Sequence, residues 1–186
     1  METAVEQRVY TVEEYLTFEE TAELRHEFVD GHLVDMAGES IVANMIALNL
    51  AVFFKATLRG QPYITLTHEV KLKVNEKRRY RYPDLMVVPA TARRETHMVT
   101  EAVLVAEITS ESTIETDTHS KLLEYSSLPS VQCYLIIAQT EPLVEAYIRR
   151  GDAWEYKPFR AVTDSVTIPA LNLTLALTDL YEGIFQ

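Results

Sequence analysis

Cysteine occurs once in this chain of 186 residues, so no internal disulfide forms and no thiolate cluster can hold a zinc ion. Cys133 sits inside the apolar run Val131-Gln132-Cys133-Tyr134-Leu135-Ile136-Ile137 and is expected to be a buried filler in a cytoplasmic protein. Glycine is scarce, with five in all, and neither a Gly-rich phosphate loop nor a Gly-x-Ser-x-Gly elbow is present. No apolar stretch approaches the roughly 18 residues of a membrane span. The first residues, Met1-Glu2-Thr3-Ala4-Val5-Glu6, lack the basic-then-apolar layout of a signal peptide, and no membrane association is expected. Positive charge is the other shortage: 17 Lys and Arg against 28 Asp and Glu give a net charge of −11. Broad affinity for nucleic acid is thereby disfavoured, since it depends on a cationic surface meeting phosphates. The five histidines, His26, His32, His68, His97 and His119, show no zinc-like spacing.

What remains is an ordinary globular composition, 47% hydrophobic and 24% charged, consistent with one domain over residues 1–186. The scarce cations are unevenly spread. Lys71, Lys73, Lys77, Arg78, Arg79 and Arg81 crowd one segment that holds a single acid, Glu76. Such a segment is either a solvated hairpin turn or a local patch that faces phosphates.

Hydrophobic patterning predicts a mixed sheet with flanking helices, an α/β or α+β arrangement. Thr11-Val12-Glu13-Glu14 has the form of a capping box and opens a helix to about Glu23. Asp30-Gly31 is a hairpin signal between two extended segments, and it places Glu27 on a face shared with Val29, Val34 and Met36. Ser40 is expected to cap a helix to about Leu58, with Ile41, Met45, Leu48 and Val52 at helical spacing. Residues 62–74 and 80–88 read as extended. Pro83, lacking an N–H, marks an edge, bulge or strand opening where the next side chain can be turned into a site. The run 102–108, a helix from about Thr113 to Ser126 carrying Asp117, Lys121, Leu122 and Tyr125, and the strand after Pro129 predict a parallel strand pair. A hairpin joins 143–149 to 153–157, and a strand near 171–177 precedes a short helix from Thr178.

Two carboxylates stand out against this frame. Glu107 lies within Ala102-Val103-Leu104-Val105-Ala106-Glu107-Ile108, and Asp84 opens Leu85-Met86-Val87-Val88. An acid in a buried strand is costly unless a cation meets it. Magnesium and manganese take hard oxygen ligands, typically one or two carboxylates plus water and phosphate oxygens. Asp84, Glu107 and the backbone carbonyl of Ile108 supply such a set, and Lys121, on the next helix, supplies an ammonium that orients a hydroxide or offsets developing charge. An ion pair with Asp117, four residues earlier, is the plainer role for Lys121. Ser110 and Ser112 read as helix caps.

The ordered series Glu27-Phe28-Val29-Asp30-Gly31, Tyr82-Pro83-Asp84-Leu85, Glu107-Ile108-Thr109-Ser110-Glu111-Ser112-Thr113, Lys121 with Tyr125, and Tyr134-Leu135-Ile136 resembles the Uma2 family of the PD-(D/E)xK nuclease superfamily. The likeness runs from about Tyr10 to the C-terminus. It implies a restriction-endonuclease-like core, preceded by the N-terminal helix and β-hairpin, and Mg²⁺- or Mn²⁺-dependent hydrolysis of DNA phosphodiesters. Asp84 matches the PD aspartate and Glu107 the acid of (D/E)xK. The motif's lysine position is Thr109 here, and Lys121 matches a lysine relocated to the following helix. Glu27 matches the acid of the early hairpin. The chain departs from the family at Ala43, where relatives often carry His, and at Met45, usually polar or basic.

The expected function is a metal-dependent endodeoxyribonuclease acting through Asp84, Glu107, Lys121 and Glu27, with DNA as partner and a homodimer in keeping with cleavage of both strands. Two other readings stay open: a non-catalytic binding or oligomerisation module, and a phosphoesterase for small substrates.

Overall fold

The computed structural model describes residues 8–36, 38–75, 79–109 and 116–185, without the side chains of Asn75, Thr116 and Asp117. Lys77, Arg78 and the Ser110-to-Thr113 stretch, including the expected helix start, lie outside the described residues. The first helix, α1 (Val12–Thr21), opens as its sequence predicts. The Thr11 hydroxyl accepts the Glu14 N–H at 3.1 Å, and the Glu14 carboxylate accepts the Thr11 N–H at 2.8 Å. Strands β1 (His26–Val29) and β2 (His32–Asp35) pair antiparallel around a two-residue turn. Asp30 and Gly31 both have positive φ there, 52° and 99°. This turn matches the strand twist, and it favours Asp-Gly because neither residue pays heavily for left-handed backbone.

Helix α2 (Ile41–Thr57) is capped by Ser40, whose hydroxyl accepts the Ala43 N–H. It packs the opposite way from the expected stripe. Ile46, Leu50 and Phe54 are fully buried, whereas Ile41, Leu48 and Val52 face solvent. The helix carries no charge before Lys55, so every face is apolar enough to be the inner one and periodicity cannot choose between them.

The next strands are β3 (Tyr63–Thr67), β4 (Lys71–Asn75), β5 (Arg79–Arg81) and β6 (Leu85–Pro89). Then follow the short β7 (Arg94–Glu95) and β8 (Met98–Val99), then β9 (Leu104–Thr109). A π-helical turn, Thr116–Lys121, runs into α3 (Leu122–Ser127). β10 (Cys133–Ala138) pairs parallel with β9, as predicted, and β11 (Val144–Arg150) and β12 (Ala153–Phe159) complete the expected hairpin. β13 (Ser165–Ile168), missed in the sequence, pairs with β14 (Leu173–Ala176) ahead of α4 (Leu177–Leu180).

The strands form two six-stranded sheets, ordered β2-β1-β5-β4-β8-β7 and β12-β11-β10-β9-β6-β3, plus the β13–β14 ribbon. Residues 80–88 are therefore not one strand. Tyr82-Pro83-Asp84 carries the chain from β5 in the first sheet to β6 in the second. Residues 62–74 divide likewise, where His68 and Glu69, with φ of 26° and 49°, link β3 to β4. The two crossings meet: the His68 N–H donates to the Asp84 carbonyl at 3.3 Å.

Both faces of the second sheet are covered, which is why its strands read as unbroken apolar runs. On one face Leu85, Val87, Leu104, Ala106, Cys133 and Leu135 pack against α2 and the C-terminal elements. On the other, Met86, Val88, Val105, Tyr134 and Ile136 meet Leu72, Val74 and Tyr125. Cys133 is the buried filler expected, its thiol pushed up to about 12 by burial. Among the described residues no helix is long and apolar enough to cross a membrane.

Candidate metal centre

The β6–β9 register sets the geometry. Leu85 lies opposite Ala106 and Met86 opposite Val105, so Asp84, just before β6, and Glu107, just past the last paired residue of β9, stand at the same end of this strand pair. Alternation along β9 puts Glu107 on the face of Val105, the face of Met86 and Tyr134. The Ile108 N–H donates to Asp84 Oδ2 at 2.6 Å, locking the aspartate onto β9. Ile108 thus serves Asp84 through its N–H.

Glu107 is 3% exposed and would be untenable without partners. It has them: Lys121 Nζ lies 3.0 Å from its Oε2, and the Tyr125 hydroxyl donates to its Oε1 at 2.6 Å. Burial first, then the Glu107 charge, push the Tyr125 phenol well above its ordinary range, so it is a fixed proton donor. Lys121, Glu124 and Tyr125 fall at i, i+3 and i+4 and so present one helix face to the sheet. The π-helical turn ends on Lys121 itself, an irregularity frequent at functional sites. Whether Asp117 pairs with Lys121 lies outside the described residues, because its side chain does.

Glu27 stands one step further out. Its Oε1 is 3.6 Å from Lys121 Nζ, and its Oε2 accepts from Arg81 at 2.6 Å. Arg81 in turn grips Glu124 through two hydrogen bonds of 2.7 Å, and Glu124 also accepts from Arg79, which pairs with Asp30. Burial pulls the Arg81 pKa down, but bonding to Glu124 and the charges of Glu27 and Glu124 outweigh it and hold it above its usual value. An alternating line of charge therefore runs Asp30, Arg79, Glu124, Arg81, Glu27, Lys121, Glu107.

Of the six cations read as either a solvated turn or a phosphate-facing patch, Lys71, Arg79 and Arg81 form no such patch. Arg79 and Arg81 turn inward to acids, and Lys71 is buried with its ammonium 5.4 Å from the Tyr15 ring centre. Their sequence neighbours are basic, but their spatial neighbours are carboxylates and rings. The described part of 71–81 offers little cationic surface to a phosphate.

Asp84 has two further neighbours. His68 Nδ1 is 4.0 Å from its Oδ1 and 3.0 Å from Glu39 Oε1. One ligand atom from each of Glu39, His68 and Asp84 lies within 4.8 Å of the others. Neither Glu39 nor His68 was legible as a site residue. Glu39 precedes the α2 cap and His68 directly follows β3, at a separation that follows no ligand spacing.

A family model described as "Uma2: Putative restriction endonuclease" matches residues 12–178. The chain belongs to the Uma2 family. It is 32% identical over 148 residues to the uncharacterized protein sll1609 of Synechocystis sp. (strain ATCC 27184 / PCC 6803 / Kazusa), covering 78% of this chain and 84% of that one. The uncharacterized protein slr1290 of the same organism is 28% identical over 174 residues, 92% of this chain and 91% of its own. Among solved structures, "a putative nuclease belonging to DUF820" from Anabaena variabilis ATCC 29413 shares the fold, with a TM-score of 0.76. That match covers 94% of this chain and 99% of the other at 17% identity.

Set against the Uma2 pattern, Thr109 is buried at the end of β9 and donates to the Ile137 carbonyl, leaving Lys121 as the ammonium beside Glu107. Ala43 is buried in the first turn of α2, and Met45 lies partly exposed.

In this Uma2 protein, burial raises the Asp84 carboxyl to about 6, against the opposing effects of the Ile108 N–H, Lys121 and His68, while Glu39 adds to the rise. A folded value above the roughly 3.9 of an unfolded aspartate means that the fold favours the protonated form. The contribution is complete below about pH 4 and is lost as pH climbs through the folded value. In chelator-treated protein, Asp84→Asn is therefore expected to be more stable than wild type at pH 8, by on the order of 1–3 kcal/mol, and equal to it near pH 4. Urea denaturation at both pH values checks this; an equal difference at both would contradict it.

Proposed function

We propose that this Uma2 protein is a divalent-metal-dependent endonuclease that hydrolyses DNA phosphodiester bonds at the seam between its two sheets. The observation carrying this reading is the meeting of Glu107 with Lys121 at 3.0 Å, next to Ile108, whose N–H holds Asp84. Asp84 and Glu107 are the proposed ligands of Mg²⁺ or Mn²⁺, with the Ile108 carbonyl as a neutral third. Hard oxygen donors of this kind fit such a cation, and carboxylates held by an N–H and a phenol need little reordering to receive it. A dication so placed lowers the pKa of water and offsets charge on a phosphate oxygen.

The protein's own groups do the rest. Lys121, set between Glu107 and Glu27, directs an N–H toward the attacked phosphate and offsets its developing charge. Tyr125 fixes the Glu107 carboxylate. Glu27 is a positioning residue that holds the ammonium in place while Arg81 holds Glu27.

The test is cleavage of supercoiled plasmid. Wild type is expected to nick or linearise it with Mg²⁺ or Mn²⁺, to stop on addition of a chelator, and to lose cleavage as Asp84→Asn. Cleavage by Asp84→Asn at the wild-type rate would reject the site. The inward turn of Lys71, Arg79 and Arg81 favours a second reading, a non-catalytic binding or oligomerisation module. It predicts no cleavage by wild type with either metal.

A further inference from the structure

We infer that Glu39, His68 and Asp84 hold a second divalent cation, of the nitrogen-tolerant first-row type, beside the Asp84–Glu107 position. The inference rests on the proposed nuclease site only in that Asp84 is common to both.

Three elements of the chain supply the ligands: the residue before the α2 cap, the β3–β4 crossing and the β5–β6 crossing. In an octahedron with bonds of about 2.0–2.1 Å, neighbouring ligand atoms stand about 3.0 Å apart and opposite ones about 4.2 Å. His68 Nδ1 lies 3.0 Å from Glu39 Oε1 and 4.0 Å from Asp84 Oδ1, separations of that kind.

The remaining oxygens are held from behind. Asn44 Nδ2 donates to Glu39 Oε2 at 3.3 Å, and the Ile108 N–H donates to Asp84 Oδ2 at 2.6 Å. These donors turn Oε1 and Oδ1 toward the imidazole, as outer donors orient ligands in metal sites. A backbone bond from the His68 N–H to the Asp84 carbonyl fixes the two crossings together. The side chains are partly exposed, 34% for Glu39, 32% for His68 and 20% for Asp84, which leaves a path for an ion and its remaining waters.

The donor set decides the class of metal. Magnesium and calcium take oxygen almost exclusively, whereas an imidazole with two carboxylates suits the later first-row divalent ions and is accepted by manganese alongside its oxygen ligands. Asp84 turns Oδ1 toward His68 and Oδ2 toward the Ile108 N–H. The two positions then differ in chemistry, one all-oxygen and one with nitrogen.

Manganese itself is the probe, titrated into the full chain and followed by calorimetry and electron spin resonance. Wild type is expected to take up two Mn²⁺, one showing nitrogen modulation from a bound imidazole. His68→Ala should bind one Mn²⁺ without that modulation, and Glu39→Gln should weaken the same site by about tenfold or more. Glu107→Gln should keep the nitrogen signal. Circular dichroism checks that each variant is folded; Glu39 and His68, both partly exposed, are removable without opening the core.

An unchanged isotherm in His68→Ala, or no nitrogen modulation in wild type, would overturn the inference whatever the plasmid assay gives. A His68-dependent Mn²⁺ signal in a protein that cuts no DNA would uphold this site and count against the nuclease reading alone.

Discussion

Replacing Glu124 with alanine is expected to remove about 3–5 kcal/mol of folding stability. Glu124 is 3% exposed and accepts from Arg81 Nε and Nη2 at 2.7 Å each and from Arg79 Nη1 at 2.6 Å. Its loss leaves the Arg81 guanidinium, itself 4% exposed, with Glu27 as its remaining ion partner among the described residues. Breaking a buried pair from one side costs far more than the pair contributes, because the survivor stays desolvated. Glu124→Gln keeps the shape and some hydrogen bonding and should cost less. Urea denaturation at neutral pH measures both; a loss under about 1 kcal/mol for alanine would show that the arginines find water instead. Since Arg81 holds Glu27 and Glu27 holds Lys121, the gentler variant should also slow cleavage.

The Lys121→Met exchange is expected to lower kcat by about 10²–10³, the usual cost of losing a charge-stabilising donor, with little change in KM. The methionine stem replaces the lysine's packing, but Glu107 loses its cation and stability falls with it, so kcat is measured on variant shown to be folded. Lys121 sits 3.0 Å from Glu107 and 3.6 Å from Glu27, poised over the proposed reacting centre and not on the outer surface. A purely structural lysine would change stability and leave kcat near its starting value once folding is allowed for. Cleavage by folded Lys121→Met within threefold of wild type would therefore remove Lys121 from the chemistry. Lys121→Arg should recover charge but not placement, because a planar guanidinium does not substitute for a compact ammonium between two carboxylates.

The Arg79–Glu124–Arg81 cluster illustrates where sequence reasoning stopped. Arg79 and Arg81 sit among lysines and arginines in the chain, so a charged surface is the natural expectation, and only the fold reveals the acids waiting for them. Glu124 gave one local hint, its place at i+3 from Lys121 and i−1 from Tyr125 on the inner helix face. The α2 stripe failed for a different reason. Uncharged on all sides from Ile41 to Phe54, the helix has no polar face to mark its outside, so Ile41, Leu48 and Val52 were indistinguishable from the Ile46, Leu50 and Phe54 that the core takes. Residues 80–88 read as one strand because hydrophobicity continues through Tyr82-Pro83, although the chain changes sheets there.

Local chemistry alone settled the capping box at Thr11, the Asp30-Gly31 turn, the buried runs around Val87, Val105 and Leu135, and the parallel partnership of the strands on either side of α3. Each depends on neighbours a few residues apart, or on an apolar run whose length and flanks limit where it can pack. Tertiary structure decided which acids meet which cations. It turned Lys71, Arg79 and Arg81 inward and brought Glu39 and His68 to Asp84. Those pairings form where two crossings between sheets coincide, and contact across such a seam leaves no period or spacing in the chain.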